Sequence, residues 1–226
     1  MSKGGVRTHP PIHELTALPL FAGIREEDLP KMLDCLGATT RHFKKNEIII
    51  LEDETVHTIG TPLSGTVHMV KEDIDGGKSL LVSIGNGELF GESFACGSQL
   101  HARVSFVAAT PCTILFLPFH KVLHSCTLSC VFHHRLIENM VRLISEKNQR
   151  LMDKASIVSQ KTLREKILAY LRNEAERQGS QRFTIPLGRV ALADYLCADR
   201  SALTRELSLM RNEGLIDYEK NTFILR

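Results

Sequence analysis

The sequence predicts an α+β fold in three parts: an N-terminal β jelly roll, a long helix and a C-terminal winged helix-turn-helix. Three observations predict it. Short β-branched segments fill residues 39–117, an apolar heptad runs through 137–158, and two short helices with a tight turn precede a strand pair at the end. Strands and helices differ in the period of their apolar residues. We therefore expect a jelly roll with flanking helices at 14–126, a long helix at 127–158 and a winged helix-turn-helix at 159–226.

Composition excludes several classes of protein. The chain has 226 residues, of which 43% are hydrophobic, and a net charge of +2, which suits a globular core without a general basic field. Its apolar runs are shorter than the ~18 residues of a membrane span, and the first residues lack the apolar region of a signal peptide. We therefore expect a cytoplasmic protein without a membrane partner. Walker, GxSxG, HExxH and paired-carboxylate motifs are absent from the sequence, so we do not expect an enzyme.

The strand region follows a short helical segment. Apolar residues recur at helical spacing between Glu26 and Leu36, and Gly37 follows as a C-cap. The turn DIDGGKS supplies the positive φ that hairpins need. Many short segments of this kind predict an antiparallel sandwich or jelly roll. The segments expected to be strands are NEIIIL, GTVHMVKE, KSLLVSIG, VSFVAAT and CTILFL.

A heptad pattern predicts that the long helix pairs with a second copy. Asn148 falls at an a position and Leu151 at d. A lone Asn at an a position favours a parallel coiled coil of two helices, because the facing amides satisfy each other only in register. A second stripe, of Leu136, Met140 and Leu143, is expected to pack on the chain's own jelly roll. The alternative is a core helix buried on one side. The predicted seam is Ile137, Val141, Ile144, Asn148, Leu151, Ala155 and Val158.

The C-terminal part predicts a helix pair that reads DNA. Ser159 and Gln160 break the seam and suggest a hinge, and an amphipathic helix then ends at Gly179. The first helix of the pair is expected at Leu187–Leu196, with three residues facing inward. Asp199 is expected to N-cap the second helix. The inward residues of the first helix are predicted to be Val190, Ala193 and Leu196.

The second helix presents arginines and hydroxyls near its N-terminus, where a recognition helix meets base edges. Arginine suits guanine because its fork donates two parallel hydrogen bonds. The alternative is a helical hairpin with a solvated face. Residues 182–226 carry seven Lys and Arg against six Asp and Glu, a net charge of +1, so we expect a dimer on two half-sites to supply the affinity. The predicted DNA contacts are Arg200, Ser201, Thr204, Arg205 and Ser208.

With these motifs in this order, the chain resembles the CRP/FNR family of bacterial transcription regulators from Glu14 to Arg226. The motifs are LPLFAGI with EEDL, LSGTVHMVKED, GELFGES, the long helix and ADRSALTREL. The resemblance implies a cyclic-nucleotide-binding-type jelly roll and a homodimer that reads a palindromic operator in double-stranded DNA. It also implies contact with RNA polymerase. The alternative is a sensory module of this type that regulates a protein partner without specific DNA binding.

The resemblance places a small-molecule site at the GELFGES cassette, but with a departure. Members that bind cyclic AMP hold its ribose with the cassette Gly and Glu and its phosphate with an Arg-Ser or Arg-Thr pair. Here Arg103 is followed by Val104 and stands one position late, and such a slip in a strand turns a side chain to the other face. Arg103 therefore binds an anion or faces solvent. We expect a small organic effector other than cyclic AMP. The predicted effector residues are Phe90, Gly91, Glu92, Ser93, Arg103, Leu151 and Met152.

Other family features are missing or altered. The N-terminal cysteine cluster of the iron–sulfur sensors is absent, so we expect no iron–sulfur cluster. The cysteines are expected to be reduced and buried. Ser201 replaces a frequent acidic residue, so the operator should differ, and Cys197 stands where glycine is common. A group with i, i+4 spacing could hold a metal or haem, but surface histidines and buried thiols are the favoured interpretation. That group is His120, His124, Cys126, Cys130, His133 and His134.

Overall fold

A computed structural model describes residues 11–72, 78–98, 100–123 and 131–226. The predicted DIDGGKS turn falls largely outside these ranges. The chain divides into two compact units, Met1–Ser145 and Glu146–Arg226. The division lies inside the long helix.

The first unit contains two antiparallel sheets with helices before and after them. One sheet has the strand order β1-β7-β3 and the other β2-β6-β4-β5, so the predicted jelly roll is confirmed. Its elements are α1 Ile12–Thr16, a 3₁₀ turn Pro19–Phe21, α2 Leu29–Leu36, β1 Thr39–Phe43, β2 Ile48–Ile50, β3 Thr58–Ser64, β4 Val67–Glu72, β5 Lys78–Ile84, α3 Glu92–Ala95, β6 Ser105–Ala108, β7 Cys112–Pro118, α4 Phe119–Leu123 and the first part of α5 Val131–Val158.

Two strands were not among the predicted segments. β1 pairs with β7 from Thr39 opposite Phe116 to Phe43 opposite Cys112. β3 lies on the other side of β7, at the edge of the sheet. Its sequence TIGTPLS contains Pro62, which an edge strand tolerates because one side of the strand needs no hydrogen-bond donors. Because Gly60 and Pro62 are poor strand formers, the sequence did not predict β3, which pairs with β7 in this sheet.

Aromatic rings fill the interior between the two sheets. Phe90 is fully buried, and its ring centroid lies 5.1 Å from that of Phe106 and 6.1 Å from that of Phe116. Gly60 lies beneath the same ring, since a Cβ there would stand 2.2 Å from a ring carbon of Phe90. The absence of a side chain at Gly60 thus makes room for Phe90.

Asn139 anchors the first half of α5 to the N-terminal segment. Its buried amide nitrogen donates to the carbonyl oxygens of Leu20, at 3.0 Å, and Ala22, at 2.8 Å, and its oxygen accepts from Arg142. Leu136 and Met140 lie beside it in the core of the first unit. The expectation that one stripe of this helix packs on its own jelly roll is confirmed.

The second unit is a winged helix-turn-helix, as predicted. Thr162 caps α6 through a reciprocal capping box with Glu165, and Gly179 ends it in the left-handed region. Its core joins Leu171 of α6, Leu196 and Leu203 of the helix pair, and Ile216 and Phe223 of the C-terminal strand pair, called the wing. The elements are the end of α5, α6 Leu163–Gln178, β8 Arg182–Thr184, α7 Arg189–Tyr195, α8 Arg200–Asn212, β9 Ile216–Glu219 and β10 Thr222–Leu225, with the sheet order β8-β10-β9.

Two local predictions were wrong. Val190 was expected to face inward but is 53% exposed, and Leu192 is buried in its place. Val190 lies about 200° round the helix from Leu192, so it faces solvent when Leu192 and Ala193 are buried. The helix start was the second error, because Gly188 is the N-cap and α7 begins at Arg189 rather than Leu187. Ala193 and Leu196 are buried as expected.

The cysteines are less buried than expected. Cys112 is buried in β7, but Cys35, Cys96 and Cys197 are exposed, so the prediction of burial was wrong for these three. Each lies at the end of a helix or in the turn after one. Cys126 and Cys130 lie outside the described residues. Within the described part of the chain, no helix is both long and apolar enough to cross a membrane.

We predict that Asn139→Ala lowers the free energy of unfolding of the first unit by about 2 kcal/mol, because two buried carbonyls lose their donor. Urea denaturation followed by circular dichroism measures this. All three tyrosines lie in the second unit, so their fluorescence reports that unit separately and should not change. Gln149→Ala, at an exposed site on the same helix, is the control. Equal midpoints for the two variants would contradict the assigned role of Asn139.

Candidate nucleic-acid interface and effector cassette

Helix α8 begins at Arg200 because Asp199 caps it. The Asp199 carboxylate accepts from the backbone N–H of Ser201 at 2.8 Å and of Ala202 at 3.1 Å. The Ser201 hydroxyl also donates to this carboxylate. Its hydrogen bond is the largest cause of the lowered pKa of Asp199, and the two backbone hydrogen bonds lower that pKa further. The predicted N-cap is confirmed. The carboxylate stays ionised beside the positive end of the helix, where a negative charge is favourable.

The outward face of α8 carries the five predicted DNA contacts. At 100° per residue they span an arc of roughly 140°, opposite the buried Leu203, Leu207 and Met210. The structure therefore brings all five together on one accessible surface. The exposed residues are Arg200, Ser201, Thr204, Arg205 and Ser208.

The three hydroxyl groups on this face donate their protons within the protein. Ser201 Oγ donates to Asp199 Oδ1 at 2.6 Å, and Thr204 Oγ1 donates to the carbonyl of Arg200 at 2.9 Å. Ser208 Oγ donates to the carbonyl of Thr204 at 3.1 Å. A hydroxyl that has donated its proton retains only acceptor capacity. The face therefore combines hydroxyl acceptors with guanidinium donors.

Glu206 of α8 and Glu213 at its C-cap are engaged away from that face. Arg164 of α6 donates through Nε to Glu206 at 2.6 Å and through Nη1 and Nη2 to Glu213 at 2.6 and 2.9 Å. The bonds to Glu213 and Glu206 raise the pKa of Arg164. The sequence carried a signal for this contact, since Glu206 and Glu213 are seven residues apart and thus on one face of a helix. Among the described residues, Arg200 and Arg205 have no carboxylate within ion-pair distance.

The turn between α7 and α8 contains Cys197 in the left-handed region, at φ 51°. A residue with a Cβ costs about 1–2 kcal/mol in this conformation. The backbone nevertheless completes the turn, because Ala198 N donates to the carbonyl of Ala193 at 3.0 Å. Cysteine at this position therefore strains the turn without altering the motif.

The GELFGES cassette is joined to the jelly roll at Phe90. Gly60 and Phe90 exchange two backbone hydrogen bonds, both 2.9 Å. Gly91 follows at φ 78°, where a Cβ would lie 3.1 Å from the carbonyl oxygen of Thr58. Of the four predicted effector residues here, Phe90 and Gly91 thus have packing roles visible in the structure.

Glu92 and Ser93 begin the helical turn α3, as expected for the residues after Gly91. Glu92 is buried, and Ser93 is exposed and donates to Glu92 Oε1 at 3.2 Å. A buried carboxylate next to an exposed hydroxyl suits the recognition of a polar group on a ligand.

Arg103 is exposed, between the buried Ala102 and Val104. Ala102 occupies the position one earlier, where the family pattern has its arginine. The last two predicted effector residues, Leu151 and Met152, are 51% and 55% exposed and belong to the second unit. Their role toward an effector stays a prediction.

The histidine and cysteine group is only partly described. His120 and His134 are exposed, and His133 is buried with neither ring nitrogen hydrogen-bonded to a described residue. His124, Cys126 and Cys130 lie outside the described residues. Among those described, no three His, Cys, Asp or Glu side chains are grouped as a metal site would require.

Comparison with known proteins agrees with this geometry. Residues 40–127 match the cyclic nucleotide-binding domain, and residues 165–226 match the Crp-like helix-turn-helix domain. The chain belongs to the CRP/FNR family. The transcriptional activator protein FnrL of Cereibacter sphaeroides is 27% identical over 118 residues, which cover 43% of this chain and 48% of FnrL. The match thus spans about half the length of this CRP/FNR relative.

Solved structures of similar fold cover more of the chain. OCPA-complexed CprK aligns with a TM-score of 0.63 at 16% identity, over 88% of this chain and 91% of CprK. The c-di-GMP responsive regulator CLP of Xanthomonas campestris aligns with a TM-score of 0.58 at 19% identity, over 87% of this chain and 98% of CLP. FixK2 from Bradyrhizobium japonicum aligns with a TM-score of 0.51 at 19% identity, over 84% of this chain and 92% of FixK2. At these identities the likeness concerns the fold.

We predict that Cys197→Gly stabilises the second unit by about 0.5–1 kcal/mol, since the relief of left-handed strain exceeds the entropy that glycine adds to the unfolded chain. Tyrosine fluorescence during urea denaturation measures it. Cys197→Ala is the matched control, because it removes the thiol and keeps the Cβ. Equal stability of the Gly and Ala variants would mean that the turn is unstrained.

Proposed function

We propose that this member of the CRP/FNR family is a homodimeric, sequence-specific DNA-binding transcription regulator controlled by a small organic effector. The outward face of α8 carries the proposal. Arg200 and Arg205 are exposed there without ion-pair partners among the described residues, beside three hydroxyl acceptors. This combination matches the donor and acceptor pattern of base edges in the major groove.

The hydrogen bonds of the three hydroxyl groups indicate which groups of DNA this face would contact. A hydroxyl that acts as an acceptor meets the amino group of cytosine N4 or adenine N6, whereas a phosphate oxygen requires a donor. Ser201 is the best example, because its proton is committed to Asp199 at 2.6 Å. The arginines supply the donors for guanine. We therefore assign bases to the hydroxyls, and guanine or phosphate to Arg200 and Arg205.

A dimer is supported by apolar residues that a single chain leaves in water. Val141 is 54% exposed, and Leu151, Asn148 and Ala155 are exposed on the same predicted seam of α5. Ile137 and Ile144 are partly buried against the core of the first unit. A second copy would cover this row and bring two recognition helices to the half-sites of a palindromic operator, about 34 Å apart.

The effector is proposed to be a small organic molecule rather than cyclic AMP. Ala102 stands where cyclic AMP-binding relatives have their phosphate-binding arginine, and Arg103 is exposed. Aromatic side chains lie behind the cassette, with the Phe94 and Phe106 rings 6.4 Å apart, which favours a partly apolar ligand. The fold neighbour CprK forms a complex with OCPA. The first cysteine of the sequence is Cys35, so no iron–sulfur cluster is part of the proposal.

The effector would act by shifting the population between two arrangements of the helices. Ser159 was the expected hinge, but it is hydrogen-bonded to α5 through N to Ala155 O at 3.0 Å and through Oγ to Ser156 O at 2.8 Å. Ile157 lies in the core of the second unit. These contacts support one body formed by the end of α5 and the DNA-binding domain, so we place the moving point before Ile157. A cytoplasmic location and contact with RNA polymerase complete the proposal.

We predict that Arg205→Ala lowers operator affinity by at least about 1 kcal/mol, because a guanidinium that reads a base edge is lost. Mobility shift with genomic fragments identifies the operator and then measures both proteins. Arg172→Ala, an exposed arginine on α6, is the control for charge. Wild-type affinity in Arg205→Ala would remove its assigned role. A wild-type protein that retains no specific fragment at moderate salt would instead favour the sensory module that regulates a protein partner.

We predict that Asn148→Asp weakens the dimer, since it places two like charges opposite each other at the seam. Sedimentation velocity across a range of protein concentrations measures the change. Gln149→Glu makes the same change of charge one residue away from the seam and should leave the association unchanged. An unaltered monomer–dimer equilibrium in Asn148→Asp would mean that α5 pairs through another face.

A further inference from the structure

We propose that Arg189 is a positioning residue that holds the tip of the wing, so that Lys220 reaches a DNA phosphate beside the recognition helix. The inference rests on the proposed DNA binding. It names the residue on α7 that sets the place of the turn between β9 and β10.

Arg189 is the first residue of α7 and lies against the wing. Its guanidinium carbon is 4.9 Å from the ring centroid of Tyr218 and 5.1 Å from that of Phe223. Its Nη2 donates to the carbonyl oxygen of Lys220 at 2.9 Å. One side chain thus stacks on the body of the wing and hydrogen-bonds its tip.

The wing offers a rigid surface for this contact. Tyr218 and Phe223 are directly opposite each other in β9 and β10, and their ring centroids are 5.5 Å apart. On the other side of the tip, Ile185 N donates to Asn221 O at 2.9 Å. Lys220 itself is exposed, with φ 52°. The backbone of the tip is therefore held from two sides, while the ammonium group projects into solvent.

The chemistry of Arg189 argues for more than packing. Burial lowers the pKa of its guanidinium, and Nη1 is buried without a hydrogen-bond partner among the described residues. Leaving a donor unsatisfied in this way is unfavourable, and an apolar side chain would cover the two rings without that penalty. What only a donor can supply at this site is the bond to the Lys220 carbonyl, which fixes the tip.

The ion pairs of the same domain leave Lys220 available to DNA. Arg211 and Arg226 both pair with Asp217, at 3.0 and 3.6 Å, and Arg189 is stacked on the wing. Lys220 is thus one of the few cations in 182–226 that remain available to a phosphate. The first helix of a helix-turn-helix crosses the DNA backbone, and Arg189 ties Lys220 to the start of that helix.

The test measures operator affinity and its salt dependence with a fragment selected by the wild-type protein. Lys220→Ala removes one phosphate contact from each protomer of the proposed dimer. It should therefore reduce the slope of log K against log salt by about 1.8, twice the value for one contact, and lower affinity about 25-fold at 0.15 M salt, roughly fivefold for each contact. Arg189→Lys keeps the charge but cannot both stack and reach the Lys220 carbonyl. It should reproduce both changes, and the double variant should lose no more than Lys220→Ala alone.

Two further variants separate positioning from charge and from folding. Arg182→Gln removes a cation from β8 of the same sheet, and its effect should add to that of Arg189→Lys. Tyr218→Leu removes one ring beneath the guanidinium and leaves every charge in place, so it should also reduce the salt slope. Thermal melting of each variant establishes that the second unit is folded, and Tyr218→Leu decides the question if Arg189→Lys does not fold.

Two outcomes would overturn the inference while leaving the proposed function intact. One is wild-type affinity and slope in Arg189→Lys, and the other is additive loss in the Arg189→Lys, Lys220→Ala double variant. In both cases the wild-type protein still retains its operator. If the wild-type protein binds no specific fragment, the proposed function and this inference both fail.

Discussion

The burial of one face of α8 is the constraint on which the proposed DNA interface depends. Leu203, Leu207 and Met210 are fully enclosed in the core of the second unit, and each such side chain contributes about 1.5–3 kcal/mol when it leaves water. Rotating the helix by a single residue would turn each of them by 100° and bring polar side chains such as Thr204 toward that core. The helix therefore presents its arginine and hydroxyl face to solvent whether or not DNA is present.

Local electrostatics then determine which charges that face can offer. Glu206 of α8 and Glu213 at its C-cap are both bound by Arg164, which lies on α6 and forms three short hydrogen bonds to them. Asp199 is committed to the helix N-terminus and to the Ser201 hydroxyl. The domain is almost neutral in total, yet Glu206, Glu213 and Asp217 are paired with arginines, and Asp199 with the helix N-terminus. A modest net charge is thus compatible with a locally positive surface, because what DNA meets is the arrangement of charges and not their sum.

Periodic and capped segments were predictable from the sequence, and contacts between distant segments were not. Helix α8, its Asp199 cap and its outward face follow from local spacing and one capping residue. The strand β3 was missed because Gly60 and Pro62 are poor strand formers, and only the Phe90 ring and the edge position explain them. Asn139 gave no signal, since its partners are carbonyl groups more than a hundred residues away. Val190 was misplaced because its spacing of three from Ala193 fitted an inward face, whereas the core takes Leu192, on the other side of the helix.

The GELFGES cassette indicates the fold more strongly than the effector, because two of its residues are fixed by packing within the jelly roll. Phe90 is held by Gly60 and by two aromatic rings, and Gly91 by its close approach to Thr58. These contacts exist without any ligand, so the jelly roll alone requires those two cassette residues. In the proposed effector site, recognition would then fall to Glu92 and Ser93 of the cassette, to Leu151 and Met152, and to the segment at Ala102 and Arg103, where this chain departs from the pattern of cyclic AMP-binding relatives. A change of effector therefore needs few substitutions and leaves the family signature in place.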